Sequence, residues 1–109
     1  MKKRKPKESE IEKEILRYLH IKGIEAWKNK SMGTFDPSTK RFRFNPNMKL
    51  GVSDILGILS DGRFLAIEVK RDKTCKPSDH QRKFIQMIND KGGLAFVARS
   101  VEDVIDSGL

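Results

Sequence analysis

GVSDILGILSDGRFLAIEVK, residues 51–70, is the stretch on which the fold turns. Asp61-Gly62 divides it into two apolar runs, about 54–59 and 64–70. Asp-Gly between alternating apolar segments is a strong short-range hairpin signal. Side chains alternate between the faces of a strand. In the second run, Leu65, Ile67 and Val69 therefore share one face, and Glu68 and Lys70 share the other. The turn brings Asp54 back towards Glu68. An acid and a lysine on one rigid strand, with a second acid returning on its hairpin partner, describe a metal-dependent hydrolytic site.

Working outward, residues 8–22 carry Ile11, Ile15, Tyr18 and Leu19 at helical spacing, and Gly23 closes that helix. Residues 24–30, with Trp27, read as a first strand whose Trp side chain belongs to the core. Residues 31–50 are rich in turn formers and basic residues, and Arg41-Phe42-Arg43-Phe44 alternates as one short strand within a hairpin. After the central hairpin, a polar loop over 71–77 leads to a helix N-capped by Ser78 and ended by Gly92-Gly93. A strand over 94–99 follows, then a short helix capped by Ser100. The order α-β-(β)-β-β-α-β-α is that of a mixed α/β layer.

A chain of 109 residues makes one domain with a modest core. Hydrophobic residues at 37% and charged residues at 35% suit a soluble globular domain. No apolar run approaches the roughly 20 residues of a membrane span, and no apolar signal core follows the basic start. A single cysteine, Cys75, excludes an internal disulfide framework. The expected location is the cytoplasm. Formal net charge is +8, and five of the 23 basic residues (Lys2, Lys3, Arg4, Lys5 and Lys7) lie within the first seven positions. Residues 1–7 thus read as a basic, flexible arm ahead of a single domain over 8–109. The arm suits a phosphate backbone, or it serves solubility.

Phosphodiester hydrolysis is helped by a hard cation that polarises the phosphate and acidifies an attacking water. Mg2+ prefers oxygen ligands and keeps several waters, so two protein carboxylates suffice. Asp54 and Glu68 can supply them, with the Val69 carbonyl as a third oxygen. Lys70 can orient or deprotonate the water and steady the negative charge that develops. Acids and lysines on strand faces are, however, usually solvated surface.

Gly51-Val52-Ser53-Asp54, then Glu68-Val69-Lys70, then Gln81 on a following helix resemble the VRR-NUC branch of the PD-(D/E)XK nuclease superfamily, in its free-standing phage and bacterial form. The resemblance spans nearly the whole chain and implies a restriction-endonuclease-like mixed sheet flanked by helices. It assigns Asp54 and Glu68 to the metal, catalysis to Lys70, and the edge of the site to Gln81. Ser53 stands where the superfamily pattern has proline, at a position that shapes a turn and is not a ligand. The family also tends to place a glutamate early in the first helix. Glu8 is the candidate on the apolar side and Glu12, one turn on, its competitor; Glu10 and Glu14 lie further round. Either candidate equally serves the helix N-terminus through the dipole. On the first strand the resemblance suggests DNA contact by Lys28 and Asn29, to which Arg41, Arg43, Lys3, Arg4 and Lys5 add basic contacts.

His20 and His80 do not read as metal ligands, and Gly92-Gly93 lacks the lysine and serine or threonine of a phosphate loop. The expectation is a Mg2+- or Mn2+-dependent DNA endonuclease. By family resemblance it acts on branched DNA as a homodimer. The rival is a DNA-binding module that keeps the fold without catalysis.

Overall fold

The computed structural model describes residues 6–29, 34–43 and 49–109, with the backbone alone over 34–36 and 41–43. Helix α1 (Glu8–Ile21) is followed by strand β1 (Glu25–Lys28), a hairpin of β2 (Thr34–Asp36) and β3 (Arg41–Arg43), and the central hairpin of β4 (Ile55–Ile58) and β5 (Phe64–Val69). Helix α2 (Asp79–Asp90), strand β6 (Leu94–Ala98) and helix α3 (Val101–Asp106) complete the order. The sequence implies one strand between β1 and β4. The structure has two, paired with each other as a separate small sheet.

The main sheet runs β1-β4-β5-β6. β1 pairs with β4 and β4 with β5 in antiparallel fashion, while β5 and β6 are parallel and joined through α2. A parallel pair cannot be closed by a tight turn, and α2 supplies the crossover that it needs. This pairing gathers the carboxyl ends of β1, β5 and β6 and the amino end of β4 at one end of the sheet. The registers Lys28↔Ile55↔Ile67 and Val69↔Ala98 run across that end.

Helices α1 and α3 cover one face. Ile11, Ile15 and Leu19 of α1 and Val104 of α3 pack there with Ile55, Leu65, Ile67, Val69 and Ala98. Burying each large aliphatic side chain is worth about 1.5–3 kcal/mol. Helix α2 lies on the opposite face, where Phe84 packs with Ala66 and Ala95, and Val52, Leu56, Ile85 and Ile88 close around them. Leu65 to Val69 are consequently buried on both faces of the sheet. Small side chains at Ala66 and Ala95 let α2 come close to β5 and β6.

Trp27 corrects the expectation of a core side chain: it is 45% exposed. Its partner across the ladder is Leu56, on the α2 face. That helix packs chiefly against β5 and β6, at the far side of the sheet from β1, so the indole stays open. Among the described residues no helix is long and apolar enough to cross a membrane.

Candidate active site

One glycine-assisted turn and one helix cap build the site at the gathered end of the sheet. Ser78 caps α2 by accepting from the Gln81 backbone N–H, and the Gln81 side-chain oxygen accepts from the Ser78 N–H at 2.8 Å. This capping box satisfies two helix-end donors at once. It also fixes which way the Gln81 amide points. With its oxygen committed to Ser78, the amide nitrogen faces the sheet and donates to Glu68 Oε1 at 2.9 Å.

Glu68 is 2% exposed, a buried carboxyl in the middle of an otherwise apolar strand. Lys70, two residues on and therefore on the same face, brings its ammonium to 3.6 Å from the same Oε1. Glu68 Oε2 is buried and meets no hydrogen-bond partner. Burial first, and then the charge of Asp54, push the Glu68 carboxyl up to about 8, against the opposing pull of Lys70. Asp54 enters on the turn before β4, where its Oδ2 accepts from the Val69 N–H at 2.8 Å. Its own carbonyl accepts from the Asn29 N–H at 2.7 Å, which ties the end of β1 to the site.

Gly51 makes the turn possible. Its φ is +74°, and a Cβ there would fall 2.2 Å from the His80 carbonyl oxygen and 2.7 Å from the Gln81 backbone nitrogen. The backbone before Asp54 thus rests directly on the first turn of α2, an approach open only to glycine. Gly51 couples the acid on one element to the amide on the other.

Glu8 and Glu12 differ in placement. Glu8 is exposed, whereas Glu12 is buried, with 7% exposure. Glu12 Oε1 stands 3.3 Å from the Lys28 ammonium, as an ion pair without hydrogen-bond geometry. Burial chiefly raises the Glu12 pKa, with Asp54 and Glu8 adding repulsion against the attraction of Lys28. Glu12 is thus the helix acid that faces Asp54. Lys28 is committed to Glu12 with half its side chain in solvent. Lys3, Arg4 and Lys5 lie outside the described residues, as do the side chains of Arg41 and Arg43.

Sequence reasoning had no access to Gly51's close contact, nor to Arg99 at the end of β6. Arg99 Nε donates to the Asp72 carbonyl at 2.8 Å and its Nη2 to the Cys75 carbonyl at 3.1 Å, which anchors the loop after Lys70. Only a fold that sets β6 beside β5 brings residues so distant in the chain together.

The residues fit a hard divalent cation. The charge of Asp54 acts on Glu68, and a cation held by both carboxyls would relieve that repulsion. Both neighbouring donors address Glu68 Oε1, leaving Oε2 for a ligand. No three His, Cys, Asp or Glu side chains among the described residues are placed to hold a metal together. The donor set available is accordingly two carboxylates plus backbone oxygen, the hard oxygen ligands that such a cation takes.

The mixed sheet with its flanking helices has structural relatives. One solved VRR-NUC domain superposes with a TM-score of 0.65 at 24% identity, covering 91% of this chain and 90% of that one. A solved VRR-NUC domain protein superposes at 0.68 with 20% identity, over 95% and 86% of the two chains. At these identities the likeness concerns the fold. No curated protein matches the chain. The family model of the VRR-NUC domain matches residues 5–102, and the chain belongs to that family. VRR-NUC domains are nucleases of the PD-(D/E)XK type, a class that acts on DNA and generally uses divalent metals.

Proposed function

We propose that this protein is a Mg2+- or Mn2+-dependent endonuclease that cuts DNA within the chain, as a homodimer acting on branched substrates. One observation carries the reading: Glu68 is buried beside Asp54 with one oxygen held by Gln81 and the other without a partner. A purely structural carboxyl buried at such cost would find partners for both oxygens. Asp54, Glu68 and the Val69 carbonyl are the residues that would hold the cation, and Glu12, paired with Lys28, stands outside that set. The chemistry a divalent cation supplies when bound is Lewis-acid polarisation of the scissile phosphate.

The chain's own residues do the rest. Gln81 holds Glu68 in one orientation, so its free oxygen faces the site. The Val69 N–H does the same for Asp54. Lys70, with 16% of its side chain exposed, orients an attacking water and steadies the negative charge that builds on the phosphoryl oxygens. Lys28 and Asn29 line the approach from β1. Arg41, Arg43, Lys3, Arg4 and Lys5 are proposed as further contacts to the DNA backbone, on the strength of their charge and of a net charge of +8. The dimer is supported by an apolar patch of Trp27, Ile58 and Phe64, at 45%, 47% and 38% exposure. The ladder pairings place all three on the half of the α2 face that the helix leaves open.

The test is a cleavage assay on a labelled four-way junction and a linear duplex of matching sequence, with Mg2+, Mn2+ or chelator. The expected result is metal-dependent cutting, favouring the junction and abolished by Glu68→Ala and Lys70→Ala. Binding without cutting by the wild type under every metal condition sinks the enzyme reading and leaves a DNA-binding module. Equal cutting of both substrates retains the nuclease and removes the preference for branches.

A further inference from the structure

The crossing from β5 to α2, residues 71–77, carries Arg71, Lys73 and Lys76, all exposed. Exposed lysines are ordinarily solvated surface, and three cations in six residues decide nothing alone. What distinguishes these is how the loop beneath them is held. Arg99 donates from Nε to the Asp72 carbonyl and from Nη2 to the Cys75 carbonyl. Arg82 of α2 donates from Nη1 to the Pro77 carbonyl at 3.1 Å. Two guanidinium groups, from two elements, are spent on the main chain of one short surface loop.

The loop's single carboxylate helps to brace the loop. Asp72 Oδ1 accepts from the Thr74 backbone N–H at 2.9 Å and from the Thr74 hydroxyl. Among the described residues, Arg71, Lys73 and Lys76 form no ion pair with a carboxylate. The result is a braced backbone that presents three exposed cations.

Position gives this surface a ligand. Arg71 follows Lys70 directly, and Lys73 lies three residues beyond it, within roughly 11 Å of chain. The far end of the loop is the Ser78 cap, so the amino end of α2 adds a favourable dipole for an anion. The loop continues directly from the Glu68–Lys70 end of β5, so a polyanion laid across that end has these cations beside it. Because the loop is already ordered, engaging a phosphate costs little further conformational entropy.

We propose that residues 71–76 form a preformed phosphate-binding rim of the site, with Arg71, Lys73 and Lys76 gripping the DNA backbone beside the bond to be cut and Arg99 positioning the loop. The identity of the ligand rests on the nuclease reading above. The rim differs from the contacts at β1, the hairpin and the amino-terminal arm, and lies on the other side of Glu68 from β1, since β5 separates β4 and β1 from β6.

The experiment measures binding of the full chain to a labelled linear duplex in chelator, across a salt series, while cleavage by the wild type in Mg2+ is scored separately. The rim variant Arg71→Ala/Lys73→Ala/Lys76→Ala is compared with Arg17→Ala/Lys22→Ala/Lys91→Ala, which removes equal charge from exposed positions away from the rim. The rim variant should lower the salt slope by about 2.7, roughly 0.9 per phosphate, and weaken binding roughly ten- to a hundredfold at physiological salt. The remote variant should leave the slope unchanged. Equal effects of the two, or no effect of the rim variant, overturn the proposal in favour of a diffuse field.

Arg99→Gln should weaken binding alone and add nothing in the rim background, because a positioning residue acts only through the loop. Additive losses assign Arg99 to general stability and remove it from the proposal; should Arg99→Gln fail to fold, the rim comparison decides. A wild type that binds through the rim without cutting overturns the nuclease reading alone. One that cuts with an indifferent rim overturns the rim alone.

Discussion

At the scale of the residue, Glu68 carries most of the consequence. A folded-state pKa near 8 lies above the ordinary value of 4.5. In the metal-free protein the folded state therefore holds its proton where the unfolded state has lost it. The stability this provides is fully present below about pH 4.5 and drains away as the pH rises through about 8. Glu68→Gln keeps the shape and the neutral form at every pH. Thermal unfolding in chelator should show the wild type losing stability between pH 5 and 8.5 relative to Glu68→Gln, by on the order of a few kcal/mol. Adding Mg2+ at pH 7 should release a proton from the wild type and none from the variant. Parallel stability curves for the two proteins in chelator would show that Glu68 is already ionised there. The strand period placed Glu68 opposite Leu65, Ile67 and Val69 from the sequence. Its burial was less legible, because alternation reads as a half-exposed strand, and only the closeness of α2 at Ala66 covers the second face.

At the scale of the element, the site is a junction between a turn and a helix cap. The Asp-Gly hairpin, the Ser78 cap and the apolar stripe of α1 were all legible, since each is a local signal with a local cause. Which of Glu8 and Glu12 faces the site was not. Both lie at helical spacing, and the choice depends on how α1 sits against β1 and Lys28. The contact between Gly51 and α2 was hidden for the same reason, and it yields a sharp comparison. Gly51→Ala meets both the left-handed φ and the His80 carbonyl, whereas Gly62, at φ +90°, has nothing within 4 Å of a Cβ. Gly62→Ala should cost about 1–2 kcal/mol from backbone strain alone. Gly51→Ala should cost more and should also separate Asp54 from Gln81, so that Mg2+ affinity and DNA cleavage fall well beyond the loss of thermal stability. Isothermal titration with Mg2+ on both variants, below their unfolding temperatures, checks this. Equal Mg2+ affinity in the two would mean that the contact is packing without a part in the site.

At the scale of the whole molecule, the sheet is covered unevenly. Helices α1 and α3 close one face, but α2 closes only the β5–β6 half of the other, leaving Trp27, Ile58 and Phe64 partly open along β1, β4 and β5. The sequence shows which face each of these side chains takes and cannot show how far a helix reaches across a sheet, which is why Trp27 read as core. A stable self-association interface ordinarily needs about 800 Å² from each partner, centred on side chains of this kind. A large exposed aromatic flanked by aliphatics is a fit centre for one. Sedimentation velocity should therefore find a dimer for the wild type and a monomer for Trp27→Glu/Ile58→Glu. Because both side chains are about half exposed in the single chain, the variant's monomer should keep its fold, read by an unchanged far-UV circular dichroism spectrum. Cleavage of a four-way junction distinguishes the roles further. Two sites are needed for paired cuts on opposite strands, so the monomeric variant should nick one strand and leave the junction unresolved. A wild type that sediments as a monomer, yet makes paired cuts, would show that the open face serves something other than self-association.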